Sequence, residues 1–438
     1  MKRLQVAPEE ADIVDLTHDA AGVARIDGKT VFVADALPGE RVLLRRTHRQ
    51  RKLDYAITEQ VLRASPDRVQ PRCPHFGLCG GCALQHLAPA AQVAFKQSQL
   101  LENLSRLGGV KAERVLEPLT GPVWNYRRRA RLGIKLVPRK GKVLVGFRER
   151  SSPYVADLHE CHVLVEPVGS LMAPLGKLVE SLTIASRVPQ AEVAVADQCV
   201  ALVLRVLDPP SAADLERLAA FEQEHALRLY LQPGGPDTVA PLDPHRVASP
   251  LSYGLEDGRT TIEFEPTDFI QINRELNRSM VSRALDVLEP QAGDTVLDLF
   301  CGLGNFSLPL ARRAAQVVAI EGDAGLVRRA RGNAARNAIT NVEFHAADLF
   351  GDVSGLPWAR RPFERVLLDP PRAGAKEILP VVAGSGARRV VYISCHSGSL
   401  ARDAGLLVRE HGFRMTAAGV MDMFPHTTHV EAMAVFDR

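Results

Sequence analysis

From Thr295 onward the chain alternates short apolar, β-branched runs with stretches of helical period, and few folds accommodate that pattern. The runs are Thr295-Val296-Leu297-Asp298-Leu299-Phe300, Gln316-Val317-Val318-Ala319-Ile320-Glu321, Val366-Leu367-Leu368 and Val390-Val391-Tyr392-Ile393-Ser394. Buried strands separated by helices indicate βαβ units and a mostly parallel sheet. A helix over Leu276–Leu288 leads into the first run. Ligands of such sheets bind outside the carboxyl ends of the strands. Here those ends carry reactive side chains: Glu321 after the second run, Asp369 after the third and Cys395 after the fourth.

A thiol at a strand end can attack a substrate carbon as its thiolate. The competing reading is a small buried hydrophobe, a common fate of cysteine. The neighbouring strand ends favour chemistry. Phe300-Cys301-Gly302-Leu303-Gly304-Asn305-Phe306 is a Gly-rich turn that brings backbone close to a ligand. It is neither a dinucleotide fingerprint nor a phosphate loop with its lysine. Glu321 is placed to accept both hydroxyls of a ribose. Asp348, after Asn341-Val342-Glu343-Phe344-His345, puts a polar group where an adenine amine is read. Gly-rich turn, acid and polar strand end in this order predict an S-adenosylmethionine site.

Nitrogen and oxygen carry their own lone pairs, so methylating them needs no thiolate. C5 of a pyrimidine does need one. Addition at C6 turns C5 into an enolate-like carbon, and a base must afterwards remove the C5 proton. Glu431, at the start of the terminal strand, is the candidate base; its bland alternative is a solvent-exposed strand-end acid. Asp369 and Gln271 are placed to bond the uracil edge, and Phe269 to stack on it. A base held in folded RNA has to leave its stack to meet them.

The 438 residues suggest two or three domains. A hydrophobic content of 46% with 24% charged residues is that of an ordinary soluble globular protein. Met1–Glu10 lacks the apolar stretch of a signal peptide, and no run is long enough to cross a bilayer, so a cytoplasmic location without membrane partners is expected. Short strands between about 10 and 63 suggest a small barrel of oligonucleotide-binding type. Residues 88–107 read as a helix. Residues 125–262 read as mixed α+β, with helices around 165–186 and 211–225. The expected domains are 1–64, 65–262 and 263–438, with about 90–124 packing on the last. Two basic blocks, Arg41–Lys52 and Arg127–Arg150, carry almost no acid and point to a polyanion partner.

Seven cysteines in such a chain argue for metal or catalytic use rather than a disulfide framework. Cys73, Cys79 and Cys82 cluster among glycines, and Cys161 stands far off. Four thiolates hold either zinc or an iron–sulfur cluster. The absence of a second Cys-x2-Cys knuckle favours [4Fe–4S]; His75 and His162 are spare ligands if the metal is zinc. Cys199 and Cys301 read as packing.

Phe269-Ile270-Gln271-Ile272-Asn273, Asp298 to Phe306, Asp369-Pro370-Pro371-Arg372-Ala373-Gly374, Ile393-Ser394-Cys395-His396 and His429-Val430-Glu431 resemble the motifs of the RNA uracil-5-methyltransferases. The resemblance covers nearly the whole chain. It implies a multidomain α/β protein: an N-terminal OB-type β-barrel (TRAM), a central α+β domain with an iron–sulfur cluster, and a C-terminal Rossmann-like methyltransferase domain. It implies a [4Fe–4S] cluster on Cys73, Cys79, Cys82 and Cys161. Donor contacts would fall on Gln271, Phe300, Asn305, Glu321, Asp348 and Asp369, with Cys395 as nucleophile and Glu431 as base. Asp348 departs from the Asn of some members. Within the family, barrel and cluster cysteines together imply 23S ribosomal RNA as partner, with a second 23S uridine or transfer RNA as the alternatives, and a monomer. A radical mechanism is disfavoured: all four cysteines are available to the cluster, and the Cys-x3-Cys-x2-Cys spacing is absent.

Overall fold

The structure, a computed structural model, describes residues 7–245, 249–255 and 258–438. Residues 1–6, part of the segment read above for a signal stretch, lie outside that description. Two compact units emerge. One comprises residues 1–96, 148–156 and 425–428; the other comprises 97–147, 157–424 and 429–438. Residues 65–96 therefore count with the N-terminal strands, and no division falls at 263.

In the first unit, β1 (Glu9–Leu16), β2 (Ala21–Ile26), β3 (Lys29–Ala34), β4 (Arg41–Arg49) and β5 (Leu53–Arg63) close into the expected barrel, ordered β1-β2-β3-β5-β4. Alternation drives the closure. Ile13, Ala24, Val31, Val33, Val42, Leu44 and Ala56 point inward as one buried cluster. β4 and β5 run further than their apolar residues suggest, because ion pairs carry the extensions. Arg46 bonds Asp54 and Glu9, both at 2.5 Å, and Lys29 bonds Asp54 at 2.6 Å. Burial alone would raise the Asp54 carboxyl, but hydrogen bonds from Lys29 and Arg46 outweigh it and hold it below its ordinary range. Arg41 pairs with Glu10, and Arg45 with Glu59. Half of the first basic block is thus committed to the barrel itself. The cysteine-bearing turns follow, and α1 (Pro89–Asn103) begins in this unit.

The second unit contains β6 (Arg114–Val115) and a six-stranded sheet of β7 (Arg129–Val137), β8 (Lys142–Gly146), β9 (Gln190–Val195), β10 (Val200–Arg205), β11 (Arg228–Gln232) and β12 (Ala240–Pro241). α2 (Met172–Ser181) and α3 (Ala212–Glu224) accompany that sheet. α2 is shorter than expected, because Val168–Ser170 forms a separate turn and Leu182 is extended. The second basic block is largely structural as well. Arg129 and Arg131 pair with Glu192, Lys142 with Asp157, and Arg128 is buried. Arg129, Arg131 and Lys142 thus answer acids distant in sequence, which a reading of local charge overlooks.

A hairpin of β13 (Leu251–Leu255) and β14 (Thr260–Phe264) precedes α4 (Arg274–Leu288), whose N-terminus is capped by Asn273. The remaining elements are β15 (Thr295–Leu299), α5 (Ser307–Ala311), β16 (Gln316–Glu321), α6 (Ala324–Arg336), β17 (Val342–Ala346), β18 (Arg365–Leu368), α7 (Leu379–Gly384), β19 (Arg389–Ser394), α8 (Ser397–Arg409), β20 (Arg414–Met421) and β21 (Glu431–Asp437). Their eight-stranded sheet is ordered β17-β16-β15-β18-β19-β21-β20-β6. β15 to β19 are mutually parallel, and β21 runs antiparallel between β19 and β20. Strand order reverses at β15, which makes the gap between β15 and β18 the switch point where such sheets bind ligands. β6 brings the 90–124 segment onto the far edge, beside β20. There Gly419 leaves room for Leu116, whose Cβ lies 2.7 Å from where a side chain would begin. Among the described residues no helix is long and apolar enough to cross a membrane.

Removing one partner of a buried ion pair leaves the other charge uncompensated and costs about 3–5 kcal/mol. Asp54→Ala is therefore expected to speed amide exchange across β4 and β5 while leaving β18 and β19 unchanged. Unaltered exchange in the barrel would show that Lys29 and Arg46 do not depend on that carboxylate.

Candidate active site

Three strands deliver the reactive groups to one edge. β19 and β21 pair with Ser394 opposite Ala432, so the next pair beyond the ladder sets Cys395 facing Glu431. β18 lies parallel to β19 with Leu368 beside Tyr392, which places Asp369 at the same edge. Glu431 is 3% exposed, so the solvent-exposed alternative for it falls away. Cys395 is half-buried. Cys301 is buried, as a packing role requires, and Cys199 is half-buried near the β9–β10 turn.

This edge concentrates acids out of water. Burial pushes Asp369 up to about 7. Asp298 also rises to about 7, through burial first, with a hydrogen bond from Ser307 opposing and the charges of Asp369 and Glu321 adding to the rise. Burial and then Asp369 raise Glu431 well above the carboxylate range. The Cys395 thiol goes up to about 11 through burial, then Glu431 and Asp369, with Arg372 pulling the other way. Burial thus shifts the acids of this edge toward their protonated forms, and a cation arriving there would favour the ionised ones.

The β15 turn forms the adjoining wall. Phe300 sits at φ +66°, a left-handed conformation that an aromatic residue rarely adopts and that tends to mark functional sites. Gly302 and Gly304 also have positive φ. Glu321 accepts the Gly302 N–H at 3.0 Å through one oxygen and the Asp323 N–H at 3.1 Å through the other. Each oxygen keeps a lone pair for a further donor. Asp348 is exposed, two residues beyond β17, and accepts the Phe350 N–H at 3.0 Å. The Phe300 and Phe350 rings lie 5.9 Å apart. Asn305 exchanges two 3.0 Å hydrogen bonds with Asn277 and accepts one from the Tyr253 hydroxyl at 3.2 Å.

The segment between β14 and α4 carries Phe269 and Gln271. Phe269 is 69% exposed although Ile270 beside it is buried. Two arginines fix the segment. Arg129 donates to the carbonyls of Pro266 and Thr267. Arg128 donates from Nε to the Gln271 carbonyl at 2.8 Å, and its backbone N–H bonds Ile272 O at 2.8 Å. The Arg128 guanidinium lies 4.4 Å from the Tyr253 ring centre, and burial pushes it down to about 10. One buried cation therefore joins the Gln271 turn to the tyrosine that supports Asn305. Arg128, Tyr253 and Asn277 escaped the sequence reading. The first stands within a basic run, and nothing local marks it as buried.

Cys73, Cys79 and Cys82 belong to the first unit and Cys161 to the second. The Gly81 N–H donates to Cys79 Sγ at 3.3 Å, and Cys161 is buried. Among the described residues no group of three or more His, Cys, Asp and Glu is arranged so that it could hold a metal ion.

The tRNA (Uracil-5-)-methyltransferase family profile matches residues 251–438. The 23S rRNA (uracil(1939)-C(5))-methyltransferase RlmD of Alkalilimnicola ehrlichii is 54% identical over 438 residues, spanning 100% of this chain and 98% of the relative. The protein of the same name from Stenotrophomonas maltophilia is 51% identical over 439 residues, with the same coverage. The crystal structure of Pyrococcus abyssi tRNA (uracil-54, C5)-methyltransferase in complex with S-adenosyl-L-homocysteine is similar at a TM-score of 0.73, covering 98% of this chain and 99% of that one. At 23% identity this likeness speaks to the fold alone.

The charges around Cys395 predict how its alkylation responds to substitution. Asp369→Asn removes a like charge, lowers the thiol pKa and speeds iodoacetamide labelling between pH 8 and 10. Arg372→Gln does the reverse. Identical rates in all three proteins would show that neither charge reaches the sulfur.

Proposed function

The chain belongs to the RNA uracil-C5-methyltransferases, and we propose that it methylates C5 of one uridine of 23S ribosomal RNA, the position 1939 named for its relatives. The observation that carries the reading is the Cys395–Glu431 pair opposed across β19 and β21 with Asp369 beside it. Bound S-adenosylmethionine supplies an electrophilic methyl carbon on a sulfonium. Glu321 accepts the ribose hydroxyls, Asp348 takes the adenine amine, and Phe300, Asn305, Gln271 and Asp369 line the rest of the donor site.

Phe269 stacks on the extruded uracil, and Gln271 and Asp369 bond its polar edge. The Cys395 thiolate adds to C6, and the electron pair released moves onto C5 and O4. C5 takes the methyl carbon, with the sulfonium's bonding pair leaving on sulfur as a neutral thioether. Glu431 then removes the C5 proton, the C5–C6 double bond reforms and the Cys395 thiolate departs. Every group stays on the enzyme for the next turnover, and the proton taken by Glu431 passes to solvent.

The remaining parts of the reading are architectural. Residues 1–64 act as a TRAM barrel, 65–262 as the cluster-bearing and RNA-binding part, and 263–438 as the methyl-transfer part of a cytoplasmic monomer. Cys73, Cys79, Cys82 and Cys161 hold a [4Fe–4S] cluster. A four-thiol donor set and an N–H bond to a cysteine sulfur both suit such a group. Four cysteines would leave such a cluster no open iron, so it would be structural, or shape the RNA-binding surface, rather than take part in methyl transfer.

Wild type is expected to form 5-methyluridine in unmethylated 23S RNA, and Cys395→Ala none. Glu431→Gln should accumulate a protein–RNA adduct that survives denaturing electrophoresis, because the methylated intermediate cannot lose its proton. Full activity of Cys395→Ala would sink the C5 assignment. Comparing 23S fragments and transfer RNA as substrates separates the alternative targets.

Anaerobically purified protein is expected to contain about four irons and four sulfides per chain, lost in Cys79→Ser. Zinc in their place would overturn the cluster assignment.

A further inference from the structure

The loop that leads into β21 is held by a device that the methyl-transfer site leaves unexplained. Residues 425–428 are grouped with the first unit, although the chain on either side of them belongs to the second. His426 and Thr427 in this loop are buried. His426 has φ +64°, a left-handed conformation that a residue with a side chain keeps only where its surroundings enforce it.

Hydrogen bonds supply the enforcement. Gln92, buried in the first turn of α1, accepts the His426 N–H at 2.8 Å through Oε1. Its Nε2 donates to the carbonyls of Leu84 at 2.9 Å and Leu87 at 2.8 Å, and lies 3.2 Å from His426 Nδ1. An N–H on one side and two carbonyls on the other leave the amide a single orientation. The His426 carbonyl in turn accepts the N–H groups of Ala83 at 2.8 Å and Leu84 at 2.9 Å, in the turn that follows Cys82. Both polar groups of one buried peptide segment are thus gripped by Gln92 and a single turn, all within the first unit.

The chain runs from this grip through Thr428, His429 and Val430 directly to Glu431. Cys395 is carried by β19 and has no such tether. We propose that Gln92 is a positioning residue for Glu431: by fixing His426 it sets where β21 begins, and so where the carboxyl stands when C5 gives up its proton. The proposal rests on the mechanism above and assigns one of its steps to a residue outside the reacting groups. Misplacing a reacting group by about 1 Å can cost on the order of a hundredfold in rate. With the grip loosened, thiolate addition and methyl transfer should proceed while proton removal lags. The competing explanation is that Gln92 only satisfies buried backbone groups and holds the first unit together. That role predicts a lower Tm, with both chemical steps affected alike, so the balance between the steps is the readout.

The test uses the full chain in single turnover, with S-adenosylmethionine labelled on its methyl group and an unmethylated 23S transcript carrying tritium at C5 of its uridines. Label joined to RNA reports methyl transfer, and tritium released to water reports proton removal. Gln92→Leu keeps the bulk of the side chain without its hydrogen bonds. It is expected to slow tritium release about tenfold to a hundredfold while methyl transfer stays within about twofold of wild type. A methylated protein–RNA adduct should accumulate in the interval. Gln92→Glu retains an acceptor for the His426 N–H but loses the amide donors, and should show the same imbalance to a smaller degree. Folding of each variant is checked by its Tm. If Gln92→Leu fails to fold, Gln92→Glu decides. Tritium release that keeps pace with methyl transfer in the folded variants, whether both are slowed or neither, would overturn the positioning role while leaving the methyltransferase reading intact. A wild-type protein that neither methylates the transcript nor releases tritium would overturn that reading as well.

Discussion

The second unit is organised around a cost: Asp298 and Glu431 are buried, and Asp369 and the Cys395 thiol half-buried, along one sheet edge. Ionised carboxylates in such surroundings are unfavourable, so the groups move toward neutrality, Asp298 and Asp369 to about 7. A fold keeps such an arrangement only if surrounding structure enforces it. Enforcement comes from the central strands, whose side chains are almost wholly buried and whose register leaves no freedom at the ends. α8 reinforces the loop after Asp369. Asp403 accepts the Ala375 N–H and the Tyr392 hydroxyl, both at 2.7 Å, and Arg402 holds the Ala373 carbonyl at 2.8 Å.

Much of the placement of this edge was legible in the sequence, because a buried parallel strand announces itself as an apolar run and its last residue lies at the carboxyl end of the sheet. Glu321, Asp369 and Cys395 follow from that rule. The pairing that makes Glu431 useful does not. Nothing local says that β21 inserts antiparallel between β19 and β20, nor that Ser394 meets Ala432. Only the ladder turns two separate strand-end residues into an opposed thiol and carboxyl.

Charge was the poorest guide. A basic run looks the same whether its side chains face solvent or acids brought from elsewhere. The structure divides Arg41–Lys52 into barrel pairs and an exposed turn, and turns Arg128 inward onto Tyr253. The hydrogen bond from Arg128 to the Gln271 carbonyl, with the Tyr253–Asn305 bond beyond it, gives the second unit a charged hub between its two ligand-facing segments. A neutral side chain of equal length would fill the space but would keep neither the carbonyl bond nor the hold on the ring.

On the proposed mechanism, the same cost bears on how a thiol with a raised pKa would serve as the nucleophile. The edge has one nearby cation, Arg372, set against two acidic groups, Glu431 and Asp369, around the sulfur. A positively charged methyl donor would therefore bind where negative charge is being suppressed, and each carboxyl it helps to ionise strengthens its own binding. Its charge would also pull the thiol toward thiolate, against the opposing push of the carboxylates it ionises. Methyl transfer removes that positive charge, since a sulfonium becomes a neutral thioether. Glu431 would then regain its preference for the proton just when C5 must give one up. On this argument one electrostatic imbalance serves both halves of the reaction, by favouring the nucleophile before transfer and the proton acceptor after it.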